Sequence, residues 1–164
     1  MTAPSRQQAD PIAEPETGPS DEVLRQFVGY HVKRGADAIQ SELGRALKPL
    51  DLRLLTYSAL ALIVTNPGLR QTDLATLMDM EPPNLVVLLD ALQQRGLIRR
   101  KRDETDRRAY ALVPTAAGKR RHADATQAIA DSEAQMMHRL SPEQKATVVQ
   151  AMTMIRAAYQ ESKR

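Results

Sequence analysis

A chain of 164 residues with 23 basic and 20 acidic side chains, no cysteine and no tryptophan carries a formal charge of +3. The absence of cysteine excludes disulfides, thiolate metal sites, thiol nucleophiles and cysteine redox sensing, and suits a reducing, cytoplasmic setting. One Phe and four Tyr leave few stacking platforms for single-stranded nucleic acid, and no apolar run approaches the ~20 residues that span a membrane.

Residues 1–20 hold four of the ten prolines and, after Met1, only Ile12 as a large aliphatic. They read as a disordered tail and lack the basic-then-apolar pattern of a secretory signal. Residues 1–22 carry a net charge of −4 and the remainder +7, so the body of the protein is basic enough to favour a polyanionic partner.

Ser20 is placed to cap a helix whose first turn holds Asp21 and Glu22. Leu24, Phe27, Val28, His31, Val32, Ile39, Leu43 and Leu47 then recur at three- and four-residue steps, which predicts one long amphipathic helix ending near Pro49. A second helix, Arg53 to Val64, is apolar almost all round and is expected to be buried; Asn66-Pro67-Gly68 ends it. A short helix follows around Thr72 to Met78, then a break at Asp79-Met80. Another helix starts at Glu81-Pro82 and runs to Arg95, with Gly96 as its left-handed cap and Leu85, Leu88, Leu89 and Leu92 as its buried stripe.

The next stretch, RRKRDETDRR (99–108), packs six basic and three acidic residues into ten positions. Ile98, Arg100 and Arg102 alternate with Arg99 and Lys101; beyond a turn-forming Asp103-Glu104-Thr105-Asp106, Tyr110 and Leu112 alternate with Ala109, Ala111 and Val113. This predicts a two-stranded hairpin with a charged tip. After Pro114, Thr115 caps a long helix toward Leu140. Ser141-Pro142-Glu143-Gln144 is a capping box with a first-turn proline, opening a last helix with Val148, Met152, Ile155 and Tyr159 on one face.

Two short helices joined by a tight turn, followed by a hairpin, make a winged helix-turn-helix. The fold class is therefore mainly α with a small β-hairpin. In such a motif the second helix enters the major groove and the first crosses the backbone. Arginines on the hairpin tip then reach phosphates or the adjacent minor groove. Charged hairpins are also common as mere solvated surface, and it is the position after a helix-turn-helix that favours DNA here.

Asp106-Arg107-Arg108, the strand after it and Thr115-Ala116-Ala117-Gly118 resemble the wing signature of the MarR (multiple antibiotic resistance regulator) family. LDALQQRGLI (89–98) resembles that family's recognition-helix exit, and the resemblance runs from about Val23 to the C-terminus. It implies long dimerisation helices at 21–50 and 115–164 flanking a DNA-binding domain at 51–114. Apolar stripes too long for one small domain to cover agree with pairing across a two-fold axis. Within the implied pattern, Gln71 and Thr72 are candidate phosphate contacts, and Arg102, Arg107 and Arg108 belong to the wing, where Asp106 and Arg108 form a structural pair. Pro83, Asn84 and Val87 face the groove. Asn84 suits a bidentate contact to adenine, or alternatively a helix-capping role; Val87 or Pro83 suits contact with a thymine methyl. Three positions depart from the family: Asp79 where Gly is frequent, Glu81 where a capping Ser is frequent, and Val87 where many relatives carry a base-contacting Arg.

His31, His122 and His138 have no metal-ligand spacing, and no nucleophile elbow, phosphate loop or dinucleotide fingerprint is present. No catalytic residue, metal or cofactor is expected. His122 and His138 read as surface residues. GYHVKRGADAI (29–39) is similar to the branch of the family that senses coenzyme A thioesters of aromatic acids. Tyr30, His31, Arg34, Arg53 and Tyr57 are accordingly candidate contacts for an anionic aromatic effector, with a core or interface role as the alternative for His31. The expected function is a homodimeric, ligand-responsive repressor on a pseudopalindromic double-stranded operator. Two other classes are a winged-helix protein-interaction module without specific operator binding, and a small enzyme acting on an anion held by Arg34 and His31. The missing cysteine argues against the peroxide-sensing branch.

Overall fold

The computed structural model describes residues 19–102 and 110–163. Residues 1–18 of the predicted tail, Asp106, Arg107 and Arg108 therefore lie outside the described residues. Residues up to Ala36 form one unit and those from Asp37 onward a second.

In the first unit the predicted single helix is broken. A four-residue α1 (Glu22–Arg25) is followed by Gln26-Phe27 and then α2 (Val28–Leu47). Ser20 Oγ accepts the Glu22 N–H at 3.2 Å, one position before the N-cap, Asp21. The Asp21 carboxylate is engaged elsewhere. It accepts from the hydroxyl of Tyr30 and, at 2.6 Å, from Arg25 Nε. A side-chain bond across the break competes with helical capping, while the apolar spacing carries straight through it.

In the second unit, α2 ends in a short 3₁₀ turn (Lys48–Leu50), and Asp51 takes a left-handed conformation, φ 53°. Helices α3 (Leu54–Thr65), α4 (Gln71–Leu77) and α5 (Pro82–Gln94) follow. Asp79, φ 49°, makes the turn between α4 and α5, and Met80 N–H closes it on the Ala75 carbonyl at 3.0 Å. Asp tolerates this region better than most side chains. Pro82 occupies the first turn of α5, and Gly96, φ 66°, follows its C-cap Arg95, as expected from sequence.

The hairpin pairs β2 (Ile98–Arg102) with β3 (Tyr110–Pro114), in register Ile98↔Pro114 to Arg102↔Tyr110. A further strand was not foreseen. Leu69 and Arg70 form β1, which pairs with Leu112 and Ala111 to make a three-stranded antiparallel sheet in the order β1-β3-β2. Thr115 caps α6 (Ala116–Met136), its hydroxyl accepting the Gly118 N–H at 3.0 Å. Ser141 and Gln144 form the predicted capping box of α7 (Pro142–Glu161).

The core of this unit gathers Leu47, Leu60, Ile63, Leu74, Leu85, Leu89, Leu92, Ile98 and Leu112, all fully buried. Helix α3 contributes the centre of this cluster, and α4, α5 and the sheet close around it. The recognition-helix stripe is three-quarters as expected: Leu85, Leu89 and Leu92 are buried, while Leu88 is partly covered. Helix α7 buries no residue within the chain.

Candidate nucleic-acid interface

Helix α5 is anchored through Leu85, Leu89 and Leu92, and the 3.6-residue period then turns the intervening positions outward. Glu81, Pro83, Asn84 and Val87 are all exposed, Val87 at 71%. The Glu81 side chain, at the N-cap of α5, makes no capping hydrogen bond, and Asn84 stands exposed at the helix front. Helix α4 opens with Gln71 and Thr72. Gln71 is half-buried and Thr72 exposed, at a helix N-terminus whose free N–H groups favour phosphate.

The root of the wing is tied to α5. Arg100 on β2 donates through Nη1 to Asp90 Oδ1 on α5 at 2.6 Å. Its Nε is buried without a hydrogen-bond partner among the described residues. Arg100 lines a cavity of about 440 Å³ together with Gln71, Val86, Gln93 and Tyr110. One rim therefore carries the head of α4, the middle of α5 and both wing strands. Arg100, Asp90 and Tyr110 were not singled out from sequence. The alternation of strand β2 could have flagged Arg100, since it shares the inward parity of Ile98. Arg102 sits at the last paired position of β2, opposite Tyr110.

The five candidate effector residues fall into separate groups. In the first unit, Arg34 lies over the Tyr30 ring, 5.8 Å from its centroid. His31 is exposed, meets Tyr30 edge-on at 5.6 Å and donates from Nε2 to the Arg25 carbonyl at 2.8 Å. Tyr30's bond to Asp21 raises the phenol's pKa. The same bond, backed by the Arg25 guanidinium, holds the Asp21 carboxyl below its ordinary value. In the second unit, Tyr57 stacks on His122 at 6.0 Å and its hydroxyl meets Thr126 Oγ1 at 3.1 Å. His122 is thus half-buried between helices rather than the free surface group expected.

Arg53, the N-cap of α3, is not part of that stack. It lines a cavity of about 730 Å³ between the start of α3 and the front of α5, with Leu54, Leu88, Asn84, Val87 and Arg95 also in its wall. A predicted effector residue and two predicted DNA-reading residues therefore share one cavity, which the sequence did not suggest.

The pattern that defines the MarR family matches residues 52–110. A putative transcriptional regulatory protein for the hcr operon of Thauera aromatica is 32% identical over 123 residues, covering 74% of this chain and 74% of its own. The chain belongs to the MarR family. Among solved MarR-like structures, the transcriptional repressor CouR bound to a 23-mer DNA duplex has a TM-score of 0.81 at 29% identity, covering 85% of this chain and 99% of its own. CouR bound to p-coumaroyl-CoA has a TM-score of 0.75 at 28% identity, covering 83% of this chain and 96% of its own. Membership in the MarR family makes this protein a DNA-binding transcriptional regulator. The enzyme and the pure interaction module considered from sequence give way to it. Among the described residues no helix is long and apolar enough to cross a membrane.

Proposed function

We propose that this regulator is a cytoplasmic homodimeric repressor of a pseudopalindromic operator, released by a small anionic aromatic acid or its coenzyme A thioester. The observation that carries the reading is the front of α5. Pro83, Asn84 and Val87 stand exposed on a helix whose other face is locked into the core, beside a wing root bonded to the same helix. Asn84 reads adenine and Val87 or Pro83 a thymine methyl, while Gln71 and Thr72 hydrogen-bond to phosphates and Arg102, Arg107 and Arg108 neutralise them.

Pairing is supported by α7, whose Val148, Met152, Ile155 and Tyr159, on one face, are all exposed in a single chain. Such a contiguous apolar face calls for a partner. In this scheme segments 21–50 and 115–164 pair the subunits and 51–114 binds DNA. With one recognition helix per subunit, half-sites lie about one helical turn apart.

For the effector, support comes from the cavity between α3 and α5. It has an apolar wall of Leu54 and Leu88, and Arg53 at its rim, suiting an aromatic body with a negative group. CouR, similar over most of this chain, has been solved with p-coumaroyl-CoA. Tyr30, His31, Arg34 and Tyr57 remain candidate contacts. Release requires the ligand to bind one dimer conformation more tightly than the other.

Footprinting the DNA upstream of the regulator's own gene tests this reading. Two protected half-sites, lost on adding an aromatic acid or thioester from a panel, are expected. Replacing Arg107 and Arg108 by Ala should lower the salt dependence of binding by a log–log slope of about 0.9 per phosphate contact removed. A featureless footprint, or an unchanged slope, would refute it.

A further inference from the structure

The link between α2 and α3 holds a contact that operator reading, as described so far, does not use. The Leu50 carbonyl ends the 3₁₀ turn, immediately before left-handed Asp51. Two guanidinium groups from distant parts of the chain donate to it. Arg95, the C-cap of α5, donates through Nη2 at 3.4 Å, and Arg121 of α6 donates through Nη1. Arg95 also pairs with Asp51 Oδ2 at 3.1 Å. Both arginines are half-buried.

Two cations drawn onto one carbonyl are a poor way to gain stability. Each long side chain loses rotamer freedom, the guanidiniums repel each other, and the one carboxylate paired with them here, Asp51, is 87% exposed and screened. What the arrangement provides is geometry. A guanidinium presents fixed donor directions, so the far end of the recognition helix is held at a defined point between the foot of α2 and the first turns of α6. Helix α5 has 13 residues and is therefore about 20 Å long. Asn84 lies about 16 Å from Arg95 along the helix, so a tilt of about 10° at Arg95 moves it by about 3 Å, close to one base-pair step along DNA.

We infer that Arg95 and Arg121 are positioning residues for operator recognition: by holding the Leu50 carbonyl between them they fix the pitch of the recognition helix and thereby the half-site spacing the dimer accepts. This rests on the paired-subunit reading proposed above. The two arginines touch no base or phosphate in this role; they act through the angle of α5.

The test uses the full chain and a duplex selected by the wild-type protein from a random pool, then remade with its half-sites moved apart or together by one and two base pairs. Wild type is expected to lose about tenfold or more in affinity per step, the size of a typical single-position penalty. Arg95→Ala/Arg121→Ala is expected to flatten this profile to about threefold or less, while keeping near-wild-type binding to non-specific duplex at low salt. Arg95→Lys should restore part of the discrimination, since an ammonium still reaches the carbonyl. Should the double variant fail to fold, Arg95→Gln and Arg121→Gln singly are to be compared, each expected to broaden the profile. Variants with the wild-type spacing profile overturn the inference, as does a fall in affinity of equal size at every spacing. A wild-type protein indifferent to spacing refutes the paired-subunit reading itself, and this inference with it.

Discussion

Replacing Gly118 by Ala isolates one close approach on which the junction of wing and α6 depends. An added Cβ at this position would lie 2.0 Å from the Leu97 carbonyl oxygen, 2.9 Å from its carbon and 3.3 Å from Leu97 Cα. All three are backbone atoms, so no side-chain rotation relieves the clash. Leu97 is itself pinned. Its carbonyl accepts from Thr115 N at 3.0 Å and from Thr115 Oγ1 at 3.2 Å, and its N–H donates to the Leu92 carbonyl at 3.0 Å. Separating the chains by more than 1 Å costs about 1–3 kcal/mol of overpacking strain and weakens bonds worth about 1 kcal/mol each. Against this stands a helix-propensity gain of about 1 kcal/mol for Ala over Gly. The net expectation is a loss of about 2–3 kcal/mol. Urea denaturation followed by far-ultraviolet circular dichroism at fixed protein concentration measures it. Gly35→Ala, a helical position with nothing within 4 Å of the added carbon, serves as the control and should gain up to about 1 kcal/mol. If Gly118→Ala is as stable as Gly35→Ala, the inferred approach of α6 to Leu97 is wrong.

Other positions are testable in the same way. Asp79→Gly should change stability by less than about 1 kcal/mol, because relief of the left-handed backbone offsets the added unfolded-state freedom. Asp79→Val should lose about 1–2 kcal/mol; thermal melts of the pair distinguish them. Asp90→Ala removes the acceptor of Arg100, with part of the bond's value screened by solvent. A loss of about 1 kcal/mol in denaturant titration, with weaker operator binding, is expected, and unchanged operator affinity would argue that the wing root does not need this bond. The Asp21–Tyr30 contact has a two-sided pH dependence. Asp21 is depressed, so its contribution is complete above about pH 4 and is lost as pH falls through the folded value. Tyr30 is raised, so the contribution persists up to about pH 10 and is lost as pH climbs beyond it. Tyrosinate absorbance should show one of the four tyrosines ionising late, and Asp21→Asn should abolish the delay.

Legibility followed the range of the interaction. Pro82, Gly96, Thr115 and Ser141 act on neighbours three or four residues away, and the helix ends they mark lie where the sequence puts them. The hairpin alternation was equally clear because its partners follow each other in the chain. Strand β1 was missed since two residues, Leu69 and Arg70, cannot show a period. The interruption at Gln26-Phe27 was hidden by apolar spacing that carries straight through it. Exposure of Asn84 and Val87 follows from the stripe Leu85, Leu89 and Leu92, which turns the opposite face of the helix inward. The Tyr57–His122 stack and the cavity shared by Arg53 and Asn84 join residues with no local pattern connecting them. Least visible is a bond from a side chain to a distant backbone carbonyl, such as those of Arg95 and Arg121 to Leu50, because every residue offers the same carbonyl.

The two-residue strand β1 does more than widen a sheet. With the Gly68 N–H also bonded to the Leu112 carbonyl at 2.9 Å, it stitches the segment leading into α4 onto the central strand of the wing, with no slack residue between Arg70 and Gln71. A wing that swings toward or away from a duplex must therefore drag the head of α4 along. Contacts made by the two would be gained or surrendered as a single step, not peeled off one after the other.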